Sequence, residues 1–384
     1  MNRRKVVASA MGLAALGLGL PRTAARTLAQ AAGGRQPTGT PYPLVALPGK
    51  APLGQVYDIP PNYEVPTPHL IGTAHHPFTD NAYYYVRSRE PGAPQIVPSE
   101  FRLTVGGDHA EKTLTLSLAD LQRFPQVEVG AVGTCGGFGD GLFRPLVAGP
   151  PWSKGDVSCA VWGGASLQAV LQEAGIKPGA TLITFRAAGT TIDRNDPHYL
   201  QTYLLKSVLQ PNALLAYRMN GEELTLWNGF PLRLVVPGTF APRWVKQVTE
   251  IQLRATPDPR DYSEGPPGED LLDTYSLTTD PPDGTRVAVG QSVALRGIAW
   301  DAGQGIVTVE TSVDGGKSWR SATMEPSYGQ YVWRVWHQTV TVTSAGVFPV
   351  LTRATSADGQ TQALDVEGKN WNASRPFAAL LVGV

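Results

Sequence analysis

Apolar and polar positions along the chain change their rhythm twice. Residues 33–68 are rich in Pro and Gly and carry no period, which predicts an extended arm lying on the body. The pattern then tightens. Tyr83 to Arg87 and Phe101 to Val105 read as strands, the second ending at Gly106-Gly107. Ser117 to Leu121 begins with a cap residue and reads as a short helix. Val127 to Val132 is a strand that runs into Gly133-Thr134-Cys135-Gly136-Gly137. Ser166 to Ala174 has helical spacing with Gly175 as its stop, and Leu182–Arg186, Leu214–Arg218 and Leu232–Val236 are further strands. Beyond about 284 no helical spacing remains. Short strands at Val287–Val289, Val293–Trp300, Val307–Val313, Tyr331–Trp336 and Val350–Ala354 are separated by turns such as Asp314-Gly315-Gly316 and Asp358-Gly359. The expected class is α+β. A mixed domain over 96–255 follows an arm and first strand over 33–95. An acidic, Pro-rich linker over 256–283 leads to an immunoglobulin-like sandwich over 284–384.

The first thirty-two residues stand apart. Arg3 and Arg4 precede an apolar run from Val6 to about Leu20, and Ala29-Gln30-Ala31-Ala32 offers a small-residue cleavage site. This reads as an export signal of twin-arginine type, or as an ordinary secretory signal, and predicts a periplasmic or otherwise exported protein. The run is too short for a confident membrane span. The formal charge is zero, from 32 basic and 32 acidic residues, and no Lys/Arg run suggests a nucleic-acid partner.

Few residue patterns carry chemistry. The six histidines make no HExxH pair, and no CxxCH, P-loop, GxGxxG after a strand or GxSxG elbow occurs. The two cysteines are too few for a disulfide framework. Cys159 lies in an apolar strand-like run and reads as core. Cys135 sits between glycines that let the backbone approach a ligand, so it is either a soft metal donor or a small buried residue at a turn. Arg87, Arg89, Arg144, Arg233, Arg243 and Lys246 lie near turns. They are either separate surface charges or parts of one anion site, and spacing alone leaves both open.

Taken in order, several segments over roughly 75–384 resemble the sulfite oxidase family of molybdenum enzymes. Tyr85-Val86-Arg87-Ser88-Arg89 stands where that family has Phe-Val-Arg-Asn-His, and Thr115 to Leu121 matches its Thr-Leu-Ser-Leu-Asp-Asp-Leu. Cys135-Gly136-Gly137-Phe138 takes the place of Cys-Ala-Gly-Asn. Gly149 to Trp152, Ala160 to Gly164, Leu215 to Glu222, Gly229 to Gly238, Arg243 to Lys246 and Arg260-Asp261-Tyr262 follow in family order. Ser312 to Trp319 and Trp333 to Trp336 resemble its dimerisation domain.

The resemblance implies a molybdopterin-binding fold followed by the sandwich, a molybdenum-pyranopterin cofactor without haem in this chain, and a homodimer. It implies Cys135 as metal ligand and catalytic residue, with Arg87 and Tyr262 acting on substrate. Trp152 and Arg375 would complete the substrate pocket. Arg89, Asn228, Arg233, Arg243 and Lys246 would hold the cofactor, Arg233 and Lys246 at its phosphate end. The implied reaction is oxidation of sulfite or a related sulfur oxyanion, with electrons passing to an external cytochrome c. The sequence departs from the pattern at Arg89 and Asn228, each for His, at Phe138 for Asn, and at Asp140 for a pocket arginine. Those departures keep two other readings open: a sulfoxide reductase on the same fold, and a non-catalytic scaffold.

Overall fold

The computed structural model describes residues 37–142, 149–191, 199–257, 271–363 and 378–384. The export-signal segment, Arg144, Tyr262 and Arg375 lie outside them.

Three sheets build the first part of the chain. One is five-stranded, in the order Leu200–Leu204, Leu182–Ala187, Val248–Arg254, Leu103–Gly106, Leu114–Leu116, with the third and fourth strands parallel. A second runs Glu222–Glu223, Leu214–Met219, Val157–Ser166, Gln126–Thr134, and Arg233–Val235 also pairs with Leu214–Met219. The helix Leu167–Ala174 packs between them. Ser166 caps its start by accepting from the Ala169 N–H, and Gly175, at φ 73°, ends it where the sequence predicts. The short helix Leu118–Leu121 has a full capping box from Ser117 and Asp120.

The third sheet revises the arm. Leu44–Val45, Leu53–Tyr57 and Asn62–Glu64 are antiparallel strands, and the last pairs with Val86–Arg87. Strands of two to five residues are too short to print a period of two on a Pro-rich segment. Their pairing has a consequence for chemistry: Asn62 stands opposite Arg87 in register, so the arm fixes the strand that carries Arg87.

Two sheets form the sandwich. One orders Tyr275–Asp280, Ser292–Trp300, Arg334–Thr341 and Thr323–Met324. The other orders Arg286–Val287, Ala379–Gly383, Gly346–Ser356, Ile306–Ser312 and Arg320–Ser321. The expected linker over 256–283 is therefore too long, because Tyr275–Asp280 is a sandwich strand paired with Ser292–Trp300. Its flanking Pro and Asp residues mask a run that is buried from Tyr275 to Thr279. Among the described residues no helix is long and apolar enough to cross a membrane.

The first sandwich sheet is buried on both faces. Leu295, Ala299 and Trp336 point into the sandwich core, while Ile298, Trp300, Trp333 and Val335 join the larger core of the preceding domain. The junction is also hydrogen-bonded. The Val132 N–H donates to the Tyr331 carbonyl at 2.9 Å, the Trp333 indole donates to the Pro77 carbonyl at 3.0 Å, and Lys154 pairs with Asp283 at 2.7 Å. Trp333 is fully buried at this junction. Trp333→Ala should cost roughly 3–5 kcal/mol of unfolding free energy, the range for deleting a buried large aromatic. Denaturant titration measures it, and a loss below about 1 kcal/mol would mean that the two cores are not shared in solution.

Candidate active site

The cleft of interest is partly open to solvent and is walled by two stretches of chain far apart in sequence. Tyr84, Tyr85 and Arg87 to Glu90 form one wall. Asn228, Arg233, Trp244 and Lys246 form the other, and Tyr199 and Trp227 complete it. Arg233 and Lys246 face each other as an antiparallel bridge, and the Leu234 N–H donates to the Val245 carbonyl at 2.9 Å. This pairing brings two cations together that the sequence separates.

The lining is electrostatically one-sided. Among the described residues Arg87, Arg89, Arg233 and Lys246 line the cleft with one carboxylate, Glu90. Lys246 donates to the carbonyls of Arg87 and Trp227 at 3.0 and 3.2 Å. Burial, then Arg233, lowers its pKa to about 7, with Glu90 opposing and Arg87 reinforcing. The Arg233 guanidinium lies 5.1 Å from the Trp162 ring and 5.8 Å from the Trp244 ring, and donates to the Asn228 carbonyl at 3.1 Å. Its Nε is buried without a partner. Arg89 stands 6.0 Å over the Tyr199 ring. Arg243 does not line the cleft. It lies one layer behind, 4.8 Å from the Tyr203 ring, and its carbonyl accepts from the Tyr203 hydroxyl. Nothing in the sequence separates it from Arg233, since only the turn geometry decides which arginine faces inward.

Cys135 interacts electrostatically with Tyr85. It follows the strand Gln126–Thr134, is 6% exposed, and its N–H donates to the Asp156 carbonyl at 3.2 Å while its own carbonyl accepts from the Phe138 N–H. Glycine is required at 133, because a Cβ there would come within 2.5 Å of the Tyr84 hydroxyl. Burial, with Tyr84 and Cys135 adding, holds the Tyr85 hydroxyl well above its usual range. Trp152 is fully buried and meets Tyr85 edge-on at 6.4 Å. Phe138 turns away from this site to pack on Tyr275 and Trp300 of the sandwich, at 5.2 and 5.6 Å. Cys159 is fully buried, and neither cysteine is in a disulfide. Burial pushes the Cys159 thiol up, which agrees with its reading as core.

Sequence reasoning named Asp140 only as a departure from the family pattern, and missed Asp156, Glu64 and the cation Lys50. Burial raises Asp140 to about 7, and one of its oxygens has no partner. Asp156 is fully buried with both oxygens unpartnered, and burial, then Glu64 and Asp140, raises it well above the carboxylate range. Glu64 is raised to about 7 by burial, although Thr40 and Ser153 donate to it. Lys50 of the arm reaches Asn228. No motif marks these residues, and they meet only in three dimensions.

The residues fit a ligand with two chemically different ends. Desolvated cations that share one carboxylate suit an anionic tail. A buried cysteine suits a soft metal. Among the described residues no group of three or more His, Cys, Asp and Glu side chains could hold a metal by itself.

Comparison with known proteins supports that fit. Residues 90–262 match the family described as oxidoreductase molybdopterin binding domain, and residues 270–374 the Mo-co oxidoreductase dimerisation domain. The chain is 32% identical over 327 residues to sulfite oxidase of Gallus gallus, covering 77% of this chain and 70% of that one. It is 32% identical over 298 residues to mitochondrial sulfite oxidase of Rattus norvegicus, covering 71% and 54%, so it spans about half the length of that relative. The fold matches the sulfane dehydrogenase SoxCD from Paracoccus pantotrophus with a TM-score of 0.69 at 24% identity, over 83% of each chain.

An anion that enters the cleft must favour protonated Lys246 and raise its pKa. Binding therefore takes up a proton. Affinity is full below the free pKa of about 7 and falls as pH rises through it. With inorganic sulfate as probe, whose charge is constant over this range, calorimetry at about pH 6 and about pH 8.5 should give weaker binding at the higher pH. Equal affinity at both would remove Lys246 from the anion site.

Proposed function

This chain belongs to the sulfite oxidase family of molybdenum-cofactor oxidoreductases, and we propose that it oxidises sulfite or a related small sulfur oxyanion, passing electrons to an external cytochrome c. The observation that carries this reading is one cleft that gathers Arg87, Arg89, Arg233 and Lys246 and is lined by Tyr85, which interacts electrostatically with both Arg233 and Cys135.

In this reading Cys135 holds the metal through its thiolate. Arg233 and Lys246 hold the phosphate end of the pyranopterin, with Arg89 and Asn228 beside them. Arg243 supports that wall from behind. When bound, the group supplies two-electron redox chemistry and an exchangeable oxygen. The chain does the rest. Arg87 binds the anionic substrate, Trp152 excludes water from the wall beside Tyr85, and Tyr262 and Arg375 contribute from outside the described residues. The matched dimerisation domain supports a homodimer. Export in folded form is proposed from the Arg3-Arg4 segment.

A second reading changes the substrate. Asp140 stands where the family has an arginine, and its unpartnered, buried carboxyl makes the metal end less positive. That favours a neutral sulfur substrate such as a sulfoxide, and parallel assay of sulfite oxidation and sulfoxide reduction separates the two.

The test of the main reading uses the full chain from a molybdenum-replete host. Molybdenum and pterin should approach one per chain, and sulfite should reduce added cytochrome c. Cys135→Ala should abolish turnover. Arg87→Ala should lower kcat/KM for sulfite by about tenfold to a hundredfold, the worth of a charged hydrogen bond of roughly 1.5–3 kcal/mol. Undiminished turnover in Cys135→Ala would overturn the assignment.

A further inference from the structure

The N-terminal arm delivers a cation to the cleft that no motif marks. Lys50 stands between the strands Leu44–Val45 and Leu53–Tyr57 and is 8% exposed. Its ammonium donates to the Asn81 carbonyl at 2.7 Å, to the Tyr84 carbonyl at 3.0 Å and to Oδ1 of Asn228. These three bonds use all its donors, and none of the acceptors is a carboxylate. The charges nearest in effect are Lys246 and Arg233, both positive, and with burial they hold the Lys50 pKa well below its usual value. A buried cation among cations is costly unless an anion occupies the space that they enclose.

Asn228 gives the second part of the argument. Its Oδ1 accepts from Lys50 and from the Thr225 hydroxyl at 2.6 Å, and its Nδ2 donates to the Tyr85 carbonyl at 3.2 Å. A hydroxyl can donate or accept, so Thr225 alone would tolerate either orientation of the amide. Lysine can only donate. Lys50 and the Tyr85 carbonyl, which can only accept, together hold the oxygen of Asn228 toward the arm and the nitrogen toward Tyr85. One N–H of that amide remains, and Asn228 lines the cleft.

We propose that Lys50 is a positioning residue for the anionic end of the cofactor. It fixes the Asn228 amide so that its remaining N–H serves a phosphate-type group, and it adds a positive charge behind Arg233 and Lys246. This rests on the reading that the cleft takes the phosphate end of a pyranopterin.

The experiment follows pterin retention by the loaded full chain, by fluorescence of pterin released over time in raised salt, beside thermal unfolding. Lys50→Met should shorten the half-life of retention by on the order of tenfold, the size of one charge-assisted interaction, and Lys50→Arg should recover part of it. Asn228→Ala should shorten it too, and the double variant should lose little more than the worse single one, because both act through the same amide. If Lys50→Met lowers thermal stability while pterin retention is unchanged, Lys50 is only a tie between arm and body and the proposal is overturned. Should Lys50→Met not fold, Asn228→Ala carries the same test, since it leaves the ammonium in place and unchanged retention again overturns the proposal. A wild-type chain that binds no pterin fails at the parent reading, and this inference falls with it.

Discussion

Positive charge without matching negative charge is the constraint around which the cleft is organised. Lys50 and Arg233 are buried, Lys246 is partly buried, and their hydrogen-bond partners are carbonyls and an amide rather than carboxylates. Among the described residues Glu90 is the one acid of the lining, and burial raises its own pKa. Such a cluster opposes folding unless it is well braced and, in use, occupied. The bracing is visible. The arm sheet holds the strand of Arg87, the bridge between Arg233 and Lys246 aligns the opposite wall, and tryptophan rings cover the Arg233 guanidinium.

Among the described residues the acids near the Cys135 loop are buried, and Asp140, Asp156 and Glu64 are all pushed upward by burial. A protonated carboxyl is the cheaper state in such surroundings. Tyr85 lines the cleft, meets Trp152 edge-on and interacts electrostatically with both Cys135 and Arg233.

The sandwich is more than an appended module. Its first sheet shares a core with the preceding domain, and Phe138, three residues beyond Cys135, packs against Tyr275 and Trp300. The loop that carries Cys135 is therefore held partly by the second domain. Replacement of the family's Asn by Phe138 is explained in this chain by packing, since the ring has an aromatic box to fill.

Local signals in the sequence determined a good deal. Capping and stop residues located the helices at Ser117 and Ser166, alternation located the long strands, and the glycines around Cys135 marked a close-approach loop. The family pattern named Arg87, Arg89, Arg233 and Lys246, and these do line one cleft. Short strands in the Pro-rich arm and the strand Tyr275–Asp280 escaped, because a few residues beside prolines leave no period to read. Lys50, Asp156 and Glu64 escaped for a different reason. Their importance comes from burial and from neighbours tens to hundreds of residues away, such as Asn228 for Lys50. The position of Arg243 behind the wall and Arg233 on it was likewise a matter of how two turns pack. Residue type and spacing set which groups could do chemistry. The low dielectric and the long-range contacts of the folded chain decided which of them face one another and at what cost in charge.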